Sequence, residues 1–161
     1  MAESSLITLY ADPGETTGAA LTNGPQLVWC GILTLEEHWI SGIRFPFTQQ
    51  TDRLVIEIPN AHESKGAKRS KRNPQAIITL AIRCGQWIRH VSAKDTIRKF
   101  PSTWKAQVPK DSHNERVLST LTEAERALVP KLPPSKLHNV VDALGLWVED
   151  VGRMQRGRVV A

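Results

Sequence analysis

Three acidic residues stand where acids are expensive. Asp12 closes the apolar run LITLYA and opens a glycine-marked turn, DPGETTG. Glu57 lies inside VIEIP, and Asp142 lies inside VVDALGL. A carboxylate embedded in residues that should be buried is costly unless it is paired. One such residue is commonly a turn cap or an ion-pair partner. Three in a chain of 161 residues point to shared compensation. A divalent cation supplies it for all three at once, and oxygen ligands favour Mg²⁺ or Mn²⁺ over zinc. The pattern alone leaves open that each acid is solvated or paired separately.

The elements that carry these residues can be read from periodicity and punctuation. Leu6 to Ala11 reads as a buried strand. Gly18 to Thr22 and Gln26 to Leu33 flank Asn23-Gly24-Pro25, a hairpin signal, so the first three strands run antiparallel. Thr34 and Glu37 have the capping-box spacing, which predicts a short helix from Leu35 to Gly42. Leu54 to Ile58 predicts a fourth strand, and the segment His90 to Ile97 a short fifth. Asn73-Pro74 opens a helix with an N-cap and a first-turn proline. Ser112 with Glu115 and Thr122 with Glu125 predict two further helix starts. A last helix from about Ser135 to Gly152 carries the stripe Leu137, Val140, Val141, Leu144, Val148 and Val151. The expected class is α/β, a five-stranded mixed sheet with helices on both faces. One domain spans 1–152, and a basic tail, 153–161, frays from it.

Composition narrows the partner. Lys and Arg number 21 against 16 Asp and Glu, a net charge of +5, which favours a polyanion such as nucleic acid. Cys30 and Cys84 sit in apolar contexts and read as buried thiols. The two show no metal spacing. The polar start MAESS has no signal-peptide core, and VVDALGLWV is too short for a bilayer, so a cytosolic protein without a membrane partner is expected.

The order Asp-Pro-Gly-x-x-x-Gly, Ile-Glu-x-Pro and His-x-x-x-Asp-Ala-Leu resembles the RuvC family of Holliday-junction resolvases, within the ribonuclease-H-like superfamily. Asn73 before a long helix and the segment Pro101-Ser102-Thr103-Trp104-Lys105 also fit. The resemblance covers nearly the whole chain. It implies a ribonuclease-H-like fold, a homodimer and Mg²⁺-dependent incision of four-way DNA junctions. The family's catalytic carboxylates carry over to Asp12, Glu57 and Asp142. A fourth group stands before the last aspartate. His138 lies about 40° from Asp142 around a helix and Asn139 about 60° on the other side. His138 is the expected ligand or acid/base group.

The reaction agrees with the residues. Two ions about 4 Å apart would activate water and stabilise a leaving oxygen, and Asp12 is the expected bridging ligand. Lys65, Lys68, Arg69, Lys71 and Arg72 crowd the segment after the fourth strand and are expected to contact phosphates. A solvated charge run is the plainer alternative. Lys105 and Lys110 are expected near the scissile phosphate. The five tryptophans read as core, and Gly145 either admits a close approach or packs a helix. A ribonuclease-H-like enzyme acting on RNA, or a non-catalytic DNA-binding module, would use much of the same pattern.

Overall fold

The computed structural model describes residues 6–36, 39–41, 51–59, 73–105 and 109–154. The strands are β1 (Ile7–Asp12), β2 (Thr17–Asn23), β3 (Gln26–Glu36), β4 (Trp39–Ser41), β5 (Arg53–Glu57) and β6 (Asp95–Lys99). The helices are α1 (Pro74–Val91), α2 (Pro101–Trp104), α3 (Lys110–Thr120), α4 (Glu123–Leu128) and α5 (Pro134–Asp150). The sheet order is β4-β3-β2-β1-β5-β6. β1, β2 and β3 pair antiparallel, and β5 and β6 continue parallel to β1.

Five of these strands correspond to those expected. The sixth is a correction. Thr34 to Glu36 extend β3 and pair with Ser41 to Trp39, so the short helix predicted from Leu35 is replaced by a strand hairpin. The capping-box spacing of Thr34 and Glu37 was matched, but ladder hydrogen bonding to β3 is the stronger local solution. The β2–β3 turn is tight. Asn23 pairs with Gln26, and Gly24 takes φ +58°, which its missing side chain permits.

Alternation along the central strands builds two cores. Leu9, Ala11, Leu54 and Ile56 face α1, packing with Cys84 and Trp87. Tyr10 and Val55 face the other way, onto α5 with Val140, Leu144 and Trp147. Both cysteines are buried and free. Trp87, Trp104 and Trp147 are core residues, as read, whereas Trp29 is half-buried.

Helix punctuation was legible in part. Asn73 caps α1 by accepting from the Gln75 N–H, and Thr122 with Glu125 forms a complete capping box. Ser112 caps nothing, since α3 already begins at Lys110 after Pro109. The chain beyond α5 is tied down further than expected. Arg153 pairs with Glu125 at 2.8 Å and stacks on Trp147, and Met154 is buried. Only residues 155–161 of the predicted tail lie outside the described residues.

One contact fixes how α5 crosses the sheet. Gly18 pairs with Asp12 across β1–β2. A Cβ at Gly18 would lie 1.8 Å from the Asn139 carbonyl oxygen and 2.1 Å from its carbon. The helix backbone rests directly on this glycine, one turn before Asp142. Gly18→Ala is therefore expected to cost about 3 kcal/mol or more, the upper end of overpacking. Denaturant unfolding checks it, and an unchanged midpoint would show that α5 has room to lift.

Candidate active site

The sheet order places the ends of β1 and β5 side by side, because the strands are parallel neighbours. Asp12 ends β1 and Glu57 ends β5. α5 crosses from the other side and brings Asp142. Its apolar stripe faces the sheet while Asp142 stays half-buried at the rim. The three acids expected from sequence therefore meet at one edge.

Lys105 binds them together. Its Nζ lies 3.0 Å from Glu57 Oε2 and 2.9 Å from Asp142 Oδ2. The ammonium also stands 5.0 Å from the Trp104 ring centroid. Trp104 Nε1 donates to Glu57 Oε2 at 3.0 Å, so one two-residue segment satisfies most of that carboxylate. Gly145 makes this possible. A Cβ there would lie 2.6 Å from the Trp104 ring, so its small size serves packing.

The charges are not balanced by one ammonium. Burial pushes the Asp12 carboxyl well above the usual carboxylate range, and the neighbouring Glu57 charge pushes it further. Burial also raises Glu57, although Lys105 offsets part of this. Burial would raise Asp142 too, but His113 and Lys105 beside it outweigh the effect and hold it low. For Lys105 burial opposes the charged form, and the surrounding carboxylates win, so its pKa is raised.

The DPGETTG turn is held from three directions. Arg83 of α1 donates to the Gly14 carbonyl. Asn139 Nδ2 of α5 donates to the Thr16 carbonyl at 3.0 Å and to Thr16 Oγ1 at 2.7 Å. Trp87 Nε1 donates to Thr17 Oγ1 at 2.9 Å in the core. The turn after Asp12 is thus a fixed platform, and Asp12 faces the other acids.

The fourth group differs from the expectation. His138 Nδ1 lies 3.3 Å from the Pro134 carbonyl of its own helix. It opens the second turn of α5, and this contact lies within its own helix. The Asn139 amide nitrogen is committed to Thr16. The histidine against Asp142 is His113 of α3, with Nε2 3.4 Å from Asp142 Oδ1 and its ring edge-on to Trp104 at 5.2 Å. His113 is almost fully buried. Its segment, KDSHNERV, reads as polar. The one sequence sign is the spacing of four shared with Val117 and Leu121, which are buried with it.

Among the basic residues, Lys105 is at the cluster, and Lys110 is exposed at the start of the helix that carries His113. Lys65, Lys68, Arg69, Lys71 and Arg72 lie outside the described residues. Pro59 and Asn73 are the described residues on either side of that segment. Both of these residues line a cleft shared with Asp12 and Glu57.

Among the described residues, no three acidic, histidine or cysteine side chains are arranged as a ready-made metal site. The donor set nevertheless fits a hard divalent cation. It offers carboxylate oxygens from three elements, and burial, the largest cause of the raised Asp12 and Glu57, is a cost that a bound cation would offset.

No family model and no curated protein matches this chain. Among solved structures, it is similar to the Thermus thermophilus RuvC structure, with 12% identity and a TM-score of 0.46 over 92% of this chain and 98% of that one. Among the described residues, no helix is long and apolar enough to cross a membrane.

Proposed function

We propose that this chain is a Mg²⁺-dependent endonuclease that incises four-way DNA junctions by phosphodiester hydrolysis. The observation that carries the reading is the convergence of Asp12, Glu57 and Asp142 from β1, β5 and α5 around one lysine. Asp12, Glu57 and Asp142 would hold the cations, two per site, and Mn²⁺ would substitute. When bound, the ions supply activation of water and stabilisation of the leaving 3′ oxygen. The protein's own groups do the rest. Lys105 offers a positive charge to the scissile phosphate. Trp104 fixes Glu57 and His113 fixes Asp142, so the ligands are oriented before substrate arrives. The pinned DPGETTG turn holds Asp12 at a constant place.

The basic segment supports a nucleic-acid substrate. The described residues that flank it, Pro59 and Asn73, line the cleft shared with Asp12 and Glu57. Replacing Lys68, Arg69, Lys71 and Arg72 by Ala should weaken junction binding and flatten its salt dependence by about 0.9 per lost phosphate contact. Titrations at several salt concentrations measure this slope. An unchanged slope would mean the run is only solvated.

Symmetrical resolution of a junction takes two sites, and a twofold dimer would provide them. α1 supports this, because Ile78 and Ile82 are 52% and 57% exposed, one turn apart on its outer face. Ile78→Glu with Ile82→Glu should give a monomer in light scattering and abolish paired incision. A dimer that survives both changes would place the interface elsewhere.

One assay tests the function: incision of a four-way junction, duplex DNA, single-stranded DNA and structured RNA, with and without Mg²⁺. Preference for the junction supports the proposal. Preference for RNA would make the chain an RNA-processing enzyme, and binding without incision would make it a non-catalytic module.

A further inference from the structure

Arg83 is a charge without a counter-charge. It is half-buried on α1, and it donates to the Gly14 carbonyl, which is neutral. Arg53, Lys99, Lys105 and Arg153 are half-buried too, and each of them meets a carboxylate. Among the described residues Arg83 has no such partner. Arg116 is the other exception, and it lies on the Met154 sulfur, past the end of α5. Holding a turn does not require a charge. Asn139 and Trp87 pin the same turn with a neutral amide and a neutral indole. Stripping part of the water from a guanidinium costs free energy, and an anion is what restores it.

The acids of the cluster do not supply that anion. Glu57 and Asp142 hold Lys105, and the charges that act most on Asp12 are those of Glu57, Lys105 and Asp142. Gly14 is two residues beyond Asp12, at most about 7 Å along the chain. The bond to its carbonyl therefore keeps the guanidinium beside the acids. A guanidinium carries five N–H donors, and the carbonyl takes one, so a fork remains for an anion with paired oxygens. A nucleic-acid substrate at the acids brings phosphates to this place. We infer that Arg83 grips a DNA phosphate next to the cleaved one. This rests on the nuclease reading and deepens it. Lys105 meets the cleaved phosphate, and Arg83 fixes the strand beside it. The Gly14 carbonyl orients the guanidinium before substrate arrives, so little side-chain freedom is lost on binding.

The test uses the full chain with Asp12→Asn, which leaves the junction uncut, alone and combined with Arg83→Gln. Loss of a hydrogen-bonded charge should weaken junction binding about tenfold or more and lower its salt slope by about 0.9. Arg83→Lys should keep the slope and recover only part of the affinity, since the fork is gone. Junctions in which single phosphates flanking the cleaved one are replaced by neutral methylphosphonate locate the contact. At one position the replacement should weaken binding when Arg83 is present and not when it is Arg83→Gln. Mn²⁺ affinity of the single variant Arg83→Gln, read by calorimetry, should stay as in wild type. An unchanged slope with Arg83→Gln would overturn the proposal, as would equal losses in both proteins at every methylphosphonate. Mn²⁺ affinity and melting temperature that fall together while the slope holds would also overturn it, and would make Arg83 a prop for the turn. A wild-type protein that incises no branched DNA would instead overturn the nuclease reading itself.

Discussion

Asp12→Asn, Glu57→Gln and Asp142→Asn should each reduce Mg²⁺-dependent incision to background while junction binding persists or tightens. Each change keeps the size of the side chain and removes a charged ligand. Junction binding should survive, because the acids repel the phosphate backbone and contribute nothing to its capture. Asp12→Asn makes the sharpest case, since stability should move opposite to activity. Burial and Glu57 raise the Asp12 carboxyl in the fold. A carboxylate raised on folding destabilises the native state once pH exceeds its unfolded value, because the folded protein then holds the proton more tightly than solvent demands. At neutral pH the neutral amide avoids this cost. Asp12→Asn is expected to unfold at the same temperature as wild type or higher, with incision lost. Thermal unfolding beside single-turnover cleavage measures both. A variant that cleaves at a near wild-type rate would remove that residue from the ligand set. A variant that loses incision together with its fold would make Asp12 structural.

The acids were legible because an apolar run rarely carries a lone carboxylate without a reason, and each of the three sat in such a run. What holds them was less visible. Lys105 was readable as a basic residue near the site, but its bonds to Glu57 and Asp142 span 48 and 37 positions in sequence, and no local period reports such a pairing. His113 was missed since its neighbours are polar and only every fourth residue on that face is buried. His138 was chosen on angle, yet angle cannot tell which side of a helix faces the cluster. The contacts of Asp142 with Lys105 and His113 decide that. The strand β4 was hidden by a chance capping-box spacing. Gly18 was read as the end of a turn and the start of the second strand, but not as the place where the α5 backbone descends onto β2. The antiparallel run of the first three strands, in contrast, followed from the hairpin signal at Asn23-Gly24.

Lys105→Met should separate two roles of the same side chain. The ammonium is only 22% exposed and touches two carboxylates, with Asp12 close enough to add to the field. Removing one partner of a buried ion pair costs about 3–5 kcal/mol. The loss here should fall near the low end, because Asp12 and Glu57 hold protons readily and can neutralise themselves. Without added metal, Lys105→Met should therefore melt well below wild type. A divalent cation then competes with nothing for the carboxylate oxygens. Mn²⁺ should bind the variant more tightly than wild type, and it should raise the melting temperature of the variant by the larger amount. Incision should still fall, because the positive charge offered to the scissile phosphate is gone. Three readouts follow the three consequences: melting without metal, Mn²⁺ affinity by calorimetry, and single-turnover cleavage. Lys105→Arg retains a charge but replaces a compact ammonium with a planar fork. It should restore melting temperature more fully than cleavage. If Lys105→Met binds Mn²⁺ no better than wild type, the ammonium and the cation occupy separate places. Lys105 would then act on the substrate alone.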